Sequence, residues 1–166
     1  MKNITTLVLI AGLIGFASSA NAQNMKGDFA GGFGVTYGSD LIDGGEMGIN
    51  LNLTYSFTDQ LRTAFDVNYW LPGDDFDNAT LMDFNINAQF LLVNDIDIRL
   101  YALAGIHYAT FEYDFAGLTI SDSETGFNIG AGLEYDLGGV GLFVEPKYTI
   151  NGWEQFAVTA GLRFGF

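Results

Sequence analysis

One imidazole, His107, stands among 166 residues, and there is no cysteine at all. Acyl transfer or hydrolysis needs a nucleophile held within hydrogen-bond reach of a base, so His107 would have to meet a serine. Ser56 falls on a strand face at the far end of the pattern described below, while Ser121 and Ser123 lie in a loop-like stretch nearer to it. The lack of Cys excludes disulfide staples, thiolate catalysis and Cys-ligated zinc. Carboxylates offer a second chemistry: Asp74, Asp75 and Asp77 fall within Asp74-Asp75-Phe76-Asp77-Asn78, and hard cations such as Ca²⁺ take several oxygen ligands. The Gly and distal Glu of an EF-hand loop are missing, so this is a weak cation site, and no cofactor is expected. Twenty acids against six bases give a formal net charge of −14. No basic surface remains to release counterions from a phosphate backbone, which excludes nucleic acid as a partner.

The elements that must position these residues begin after an address. Residues 1–22, MKNITTLVLIAGLIGFASSANA, combine Lys2, an apolar run from Ile4 to Ala17 and small residues ending in Ala20-Asn21-Ala22. That is the form of a signal peptide cleaved after Ala22. Its apolar run is shorter than the roughly 20 residues a spanning helix needs. Residues 23–166 then make one domain with five basic and 20 acidic residues, net −15. Export without Cys points to a bacterial envelope protein.

Past Gln23 the apolar residues recur at every second position, the mark of strands with two chemically different faces. Met47, Ile49, Leu51, Leu53, Tyr55 and Phe57 alternate with Gly48, Asn50, Asn52, Thr54 and Ser56. Continuing the reading gives strands near Gly27–Tyr37, Gly45–Phe57, Leu61–Trp70, Met82–Leu92, Ile96–Tyr108, Gly126–Tyr135, Val140–Ile150 and Gln155–Phe166. Thr58-Asp59-Gln60, Asn94-Asp95 and Asp136-Leu137-Gly138-Gly139 are tight turns; Gly38–Gly44, Leu71–Thr80, Phe111–Glu124 and Asn151–Glu154 are longer connections. Short turns at one rim and variable loops at the other, joining strands of about 10 residues, predict an all-β fold: an eight-stranded antiparallel up-and-down transmembrane β-barrel.

Charge decides which face meets lipid. The apolar face carries no Asp, Glu, Lys or Arg, while the other carries Arg62, Asp66, Asp83, Asp97, Arg99, Glu134, Glu145, Lys147 and Arg163. A lipid-facing Arg or Lys costs about 2–4 kcal/mol at the bilayer midplane, so the charged face is expected to line the lumen. An eight-stranded interior is only wide enough for side chains, and unpaired buried charges are costly. Glu134 with Arg99, and Glu134 or Glu145 with Arg163, are the expected pairs; a gated ion path is the functional alternative. Tyr37, Tyr69, Tyr108 and Tyr148 fall on the apolar face at the long-loop rim, and Tyr55 and Tyr135 near the short-turn rim, where amphipathic rings suit a membrane interface. Eleven of the 20 acids, counting Glu46 just past Gly44, fall in or next to the long connections, beside Phe76, Phe111, Tyr113, Phe115 and Trp153. Such loops could meet an extracellular ligand or the divalent ions that bridge lipopolysaccharide.

These residues resemble the small eight-stranded outer-membrane barrels of diderm bacteria, similar to the transmembrane domain of outer-membrane protein A and the outer membrane protein β-barrel domain group. The resemblance is carried by the leader, Gly126-Phe127-Asn128-Ile129-Gly130-Ala131-Gly132-Leu133-Glu134-Tyr135, Glu145-Pro146-Lys147-Tyr148, and the last strand from Phe156 to Phe166. It implies residence in the outer membrane among lipid and lipopolysaccharide, as a monomer. Phe164 and Phe166 resemble the terminal signal read by the barrel-assembly machinery. Barrel lipid A deacylases resemble this fold too, but their His-x-Ser arrangement reads His107-Tyr108-Ala109 here. The expectation is therefore a non-enzymatic protein of envelope structure or surface interaction, ahead of a small porin-like channel and a lipid-modifying enzyme. Pro146 departs from the pattern, since it cannot donate to a ladder, and a bulge or shifted register is expected there.

Overall fold

The computed structural model describes residues 25–39, 45–71, 79–115 and 118–165. The leader, Asp74, Asp75, Asp77 and Phe166 lie outside the described residues. Alternation of apolar and polar side chains, with Val, Ile, Thr and aromatics enriched, yields eight strands: β1 (Phe29–Gly38), β2 (Glu46–Ser56), β3 (Leu61–Leu71), β4 (Ala79–Asn94), β5 (Ile98–Phe115), β6 (Leu118–Asp136), β7 (Val140–Ile150) and β8 (Gln155–Gly165). Each pairs antiparallel with its neighbours in sequence, and β8 returns to β1 with Phe33 opposite Leu162, closing the barrel.

The closed wall separates two environments. Outside are the large apolar residues, with Ile86 in mid-strand 59% exposed. Inside are Asn, Asp, Arg, Glu and Thr, nearly all buried. This inverts the usual soluble arrangement and suits a wall whose outer solvent is hydrocarbon. Tyr37, Tyr69, Tyr108, Tyr135 and Tyr148 are exposed on the outer face. On the same face Tyr55 sits between Phe29, tilted at 4.6 Å between ring centres, and Phe57, edge-on at 4.9 Å.

Three local departures from the simple pattern matter. Opposite β5, Leu91 pairs with Tyr101 and Val93 with Leu100, leaving Leu92 as the extra residue of a bulge. Pro146 leaves the β7–β8 register continuous, with Pro146 opposite Val158. Its missing N–H instead interrupts the β6–β7 ladder between Gly130↔Lys147 and Leu133↔Val144, and the same register resumes beyond the gap. The expected slip does not occur, because pairing on both sides of the proline holds the strand in place.

The third departure is larger. The stretch Phe111–Glu124, expected as a loop, is mostly strand: β5 and β6 stay paired up to Phe115↔Leu118, and β4 follows to Ala79↔Tyr113. Above Tyr108 the parity of the pattern reverses. The outer positions become Thr110 and Glu112, and the inner ones Ala109, Phe111 and Tyr113. Where lipid gives way to water the outer face turns polar, so a reading that holds parity constant ends the strand too early.

Candidate functional site: a filled polar lumen and its outer mouth

The inner face of the barrel is organised around a few carboxylates. On β6, Glu134 receives Arg62 from β3 at 3.0 Å, Arg163 from β8 at 3.0 Å, and Arg99 from the adjacent β5. Arg62 and Arg163 therefore reach it from strands that do not neighbour β6. On β7, Glu145 accepts from Tyr101 Oη at 2.7 Å, Gln89 Nε2 at 3.0 Å and Arg163 at 3.4 Å. Tyr101 also forms an aromatic face for cations, with Arg62 4.6 Å from its ring centre. The ring fits because residue 132 is glycine: a Cβ there would lie 2.1 Å from Tyr101.

Farther along the axis, Asp66 on β3 meets Lys147 on β7 at 3.1 Å and accepts from Asn85 and Asn87 at 2.9 and 3.1 Å. Asp83 is held by neutral donors, Asn68 Nδ2 at 2.7 Å, Asn85 Nδ2 at 2.6 Å and Trp70 Nε1 at 2.7 Å. Asn85 ties this tier together, since its Oδ1 also accepts from Asn128 at 2.7 Å and faces His107 Nδ1 at 3.0 Å. A donor at Nδ1 leaves His107 Nε2 as an acceptor, buried and unpartnered. Neighbouring amides thus replace the water that would otherwise solvate these carboxylates.

The long-loop mouth is closed by an apolar cluster of Trp70, Leu81 and Ala157, against which Phe111 and Trp153 pack. Trp153 is turned inward by three consecutive left-handed residues, Asn151 (φ 58), Gly152 (φ 56) and Trp153 (φ 49). Its N–H donates to Glu124 on β6 at 2.9 Å.

Several sequence expectations need correction. Asp97, expected in the lumen, is exposed in the β4–β5 turn, because the strand begins at Ile98. Its place among the inner acids is taken by Asp136, which pairs with Arg99 at 3.2 Å. Glu46 and Glu124, expected in loops, are the first residue of β2 and part of β6. Trp153 and Phe111 are plug residues, not freely exposed loop aromatics. Arg62, Asp66, Asp83, Arg99, Glu134, Glu145, Lys147 and Arg163 are all buried on the inner face. Sequence reasoning missed Tyr101, Trp70 and Gln89 as parts of the network; their inner parity was the available signal. His107 lies in the lumen at the long-loop half, and Ser56 lies at the short-turn end, with its N–H bonded to Asp28 O at 2.9 Å. The structure does not bring them together.

A closed antiparallel barrel with an apolar skirt and charged, mutually bonded contents defines the class of membrane-spanning β-barrels. The profile described as "Outer membrane protein beta-barrel domain" matches residues 6–164, and the chain belongs to that family, which implies the bacterial outer membrane. No curated protein sequence matches it. Among solved structures it is similar to OprG of Pseudomonas aeruginosa (14% identity, 89% of this chain and 99% of that one, TM-score 0.69). It is also similar to Neisserial surface protein A (16%, 85% and 98%, TM-score 0.66). A third is the attachment invasion locus protein Ail of Yersinia pestis (18%, 86% and 100%, TM-score 0.62), also solved with the heparin analogue sucrose octasulfate. At these identities the likeness is one of fold.

Proposed function

We propose that the chain is a non-enzymatic outer-membrane barrel with a filled interior, serving envelope structure or surface interaction through the sheet that projects beyond its long-loop mouth. One observation carries this reading. Asn85, Asn87, Gln89 and Tyr101 are 0% exposed, and a water-filled path past them would leave them wetted. The barrel is then a rigid mount, with its short turns in the periplasm and its long connections outside.

In this reading the protein is exported by its leader and folded by the barrel-assembly machinery through Phe164 and Phe166. It sits as a monomer in lipid and lipopolysaccharide, with the interface tyrosines at its two rims. Asp74, Asp75 and Asp77 add negative charge to the outer surface and a weak cation site. The heparin analogue bound by Ail does not carry over. The six basic residues are Lys2, Lys26, Arg62, Arg99, Lys147 and Arg163, so none belongs to the outer rim to attract a polyanion. Planar-bilayer recordings test the reading: silent membranes are expected, and repeated discrete openings from pure protein would establish the small porin-like channel instead. A lipid A mass shift on expression, abolished by His107→Ala, would establish the lipid-modifying enzyme.

A further inference from the structure

Plug and lumen account for the buried side chains and leave over the projecting end of β6. From Leu118 to Thr125 this strand is paired with β5, but its ladder to β7 begins only at Phe127↔Ile150. Among the described residues, Ile120–Glu124 is therefore the outer edge of a three-stranded sheet standing above the barrel wall. Natural edges are blunted by Lys, Pro or bulges, and Leu118-Thr119-Ile120-Ser121-Asp122-Ser123-Glu124 contains no Lys or Pro and pairs without a register shift.

The two faces of this edge differ. Leu118, Ile120, Asp122 and Glu124 share one, with Leu118 71% and Ile120 59% exposed; the other carries hydroxyls. Glu124 is engaged by the Trp153 N–H, whereas Asp122 is exposed, one of its oxygens accepting from the adjoining Ser123 N–H at 2.8 Å and the other facing solvent. Glu112 on β5, paired with Ser121 on the opposite face, is also exposed, and no Lys or Arg lies in this part of the sequence. The edge is thus apolar at its tip, anionic toward the membrane, and bordered by main-chain groups.

Charge selects the occupant. A second copy related by a two-fold axis along the membrane normal would set Asp122 beside Asp122, and like charges directly opposite destabilise a strand pair. Phosphates and sulfates are repelled. We propose that the Ile120–Glu124 edge accepts an extended cationic peptide as an added antiparallel strand, its apolar side chains over Leu118 and Ile120 and a Lys or Arg opposite Asp122. Main-chain ladder bonds supply affinity, and the alternating side chains supply selectivity. This deepens the surface-interaction role proposed above and rests on it.

The probe is a labelled synthetic peptide, Lys-Thr-Lys-Thr-Val-Thr-Val, titrated by fluorescence anisotropy into the full chain in detergent micelles and in neutral phosphatidylcholine vesicles. Saturable binding is expected, with slowed amide exchange at Ile120–Glu124. Replacing both Lys by Glu, or N-methylating alternate amides of the peptide, should weaken binding at least tenfold. Asp122→Lys, an exposed change checked for folding by heat-modifiable migration, should weaken the Lys peptide tenfold and strengthen the Glu peptide. Ile120→Thr supplies a second variant that leaves the charge intact and should weaken both peptides equally. Equal binding of the N-methylated peptide, tighter binding of sucrose octasulfate than of the Lys peptide, or cross-linked dimers through β6 in place of peptide binding would each overturn the proposal. A conducting barrel that still binds the peptide would refute the filled-lumen reading alone; a silent barrel that binds none would refute the edge alone.

Discussion

Replacing Glu134 by Gln keeps the shape of the side chain and removes the one charge that three guanidinium groups share. Arg99 retains Asp136 at 3.2 Å and Arg163 retains Glu145 at 3.4 Å, while Arg62 keeps only neutral partners, Gln89 Oε1 and the face of the Tyr101 ring. Removing one partner of a buried pair costs about 3–5 kcal/mol, roughly a hundred- to several-thousand-fold in the folding equilibrium. Glu145→Gln is the comparison. It loses one longer guanidinium contact and two neutral donors, and hydrogen bonds to charged groups are worth about 1.5–3 kcal/mol. Equilibrium urea titrations of protein folded into phospholipid vesicles, followed by the fluorescence of Trp70 and Trp153, convert midpoint shifts into free energies if the slope is unchanged. Adding Arg62→Met to Glu134→Gln should cost less than the two single changes together, because the stranded cation is removed. The reasoning is refuted if Glu134→Gln falls within about 0.5 kcal/mol of the unaltered chain, or if Glu145→Gln is the more damaging change.

Three further outcomes are expected. Gly132→Ala drives a methyl into the Tyr101 ring, 2.1 Å away, and should destabilise by about 1–3 kcal/mol or more, read as loss of the heat-modifiable band. Trp70→Phe removes one of three donors to Asp83 and should cost about 1–3 kcal/mol; a neutral result in the same urea titration would show that Asn68 and Asn85 suffice. Ile86→Arg, in mid-strand on the lipid face, should cost about 2–4 kcal/mol, whereas Leu118→Arg should be near neutral; equal penalties would place the end of β6 in the membrane.

The sequence made the barrel legible because lipid outside and packed polar groups inside impose opposite chemistry on alternate residues. Where the outer solvent changes, that signal inverts: Phe111 and Tyr113 continue the inner row of Arg99 and His107 while Thr110 and Glu112 take the outer one, so the tall β5–β6 hairpin read as a loop. The face occupied by Glu134 or Arg62 follows from parity. Their meeting across the lumen does not, because it depends on strand tilt and stagger around the whole circumference. Asp97 and Asp136 show the limit at a turn, where boundaries displaced by one or two residues exchange an inner acid for an outer one. Tyr101 and Trp70 were hidden by their own apolar character, which on these strands suggests lipid contact until the burial is seen.

β1 gives nothing to the charge network: its inner positions are Ala30, Gly32, Gly34, Thr36 and Gly38. The cross-lumen ties instead join β2 through β8, with Arg163 reaching past β1 to Asn52 at 3.0 Å, and the glycines let β8 approach so closely that a Cβ on Gly34 would lie 2.4 Å from the Ala160 carbonyl. The two ends of the chain therefore meet along the seam with the least side-chain bulk, while the strands that must match charges sit away from it. A curling sheet can pair its inner charges among β3–β8 first and be shut afterwards by β1, a stave with almost nothing to rearrange, the Arg163–Asn52 bond to β2 forming as it closes. Such an order of assembly makes closure a backbone event, limited by the finding of register between Phe33 and Leu162 and not by the sorting of ions.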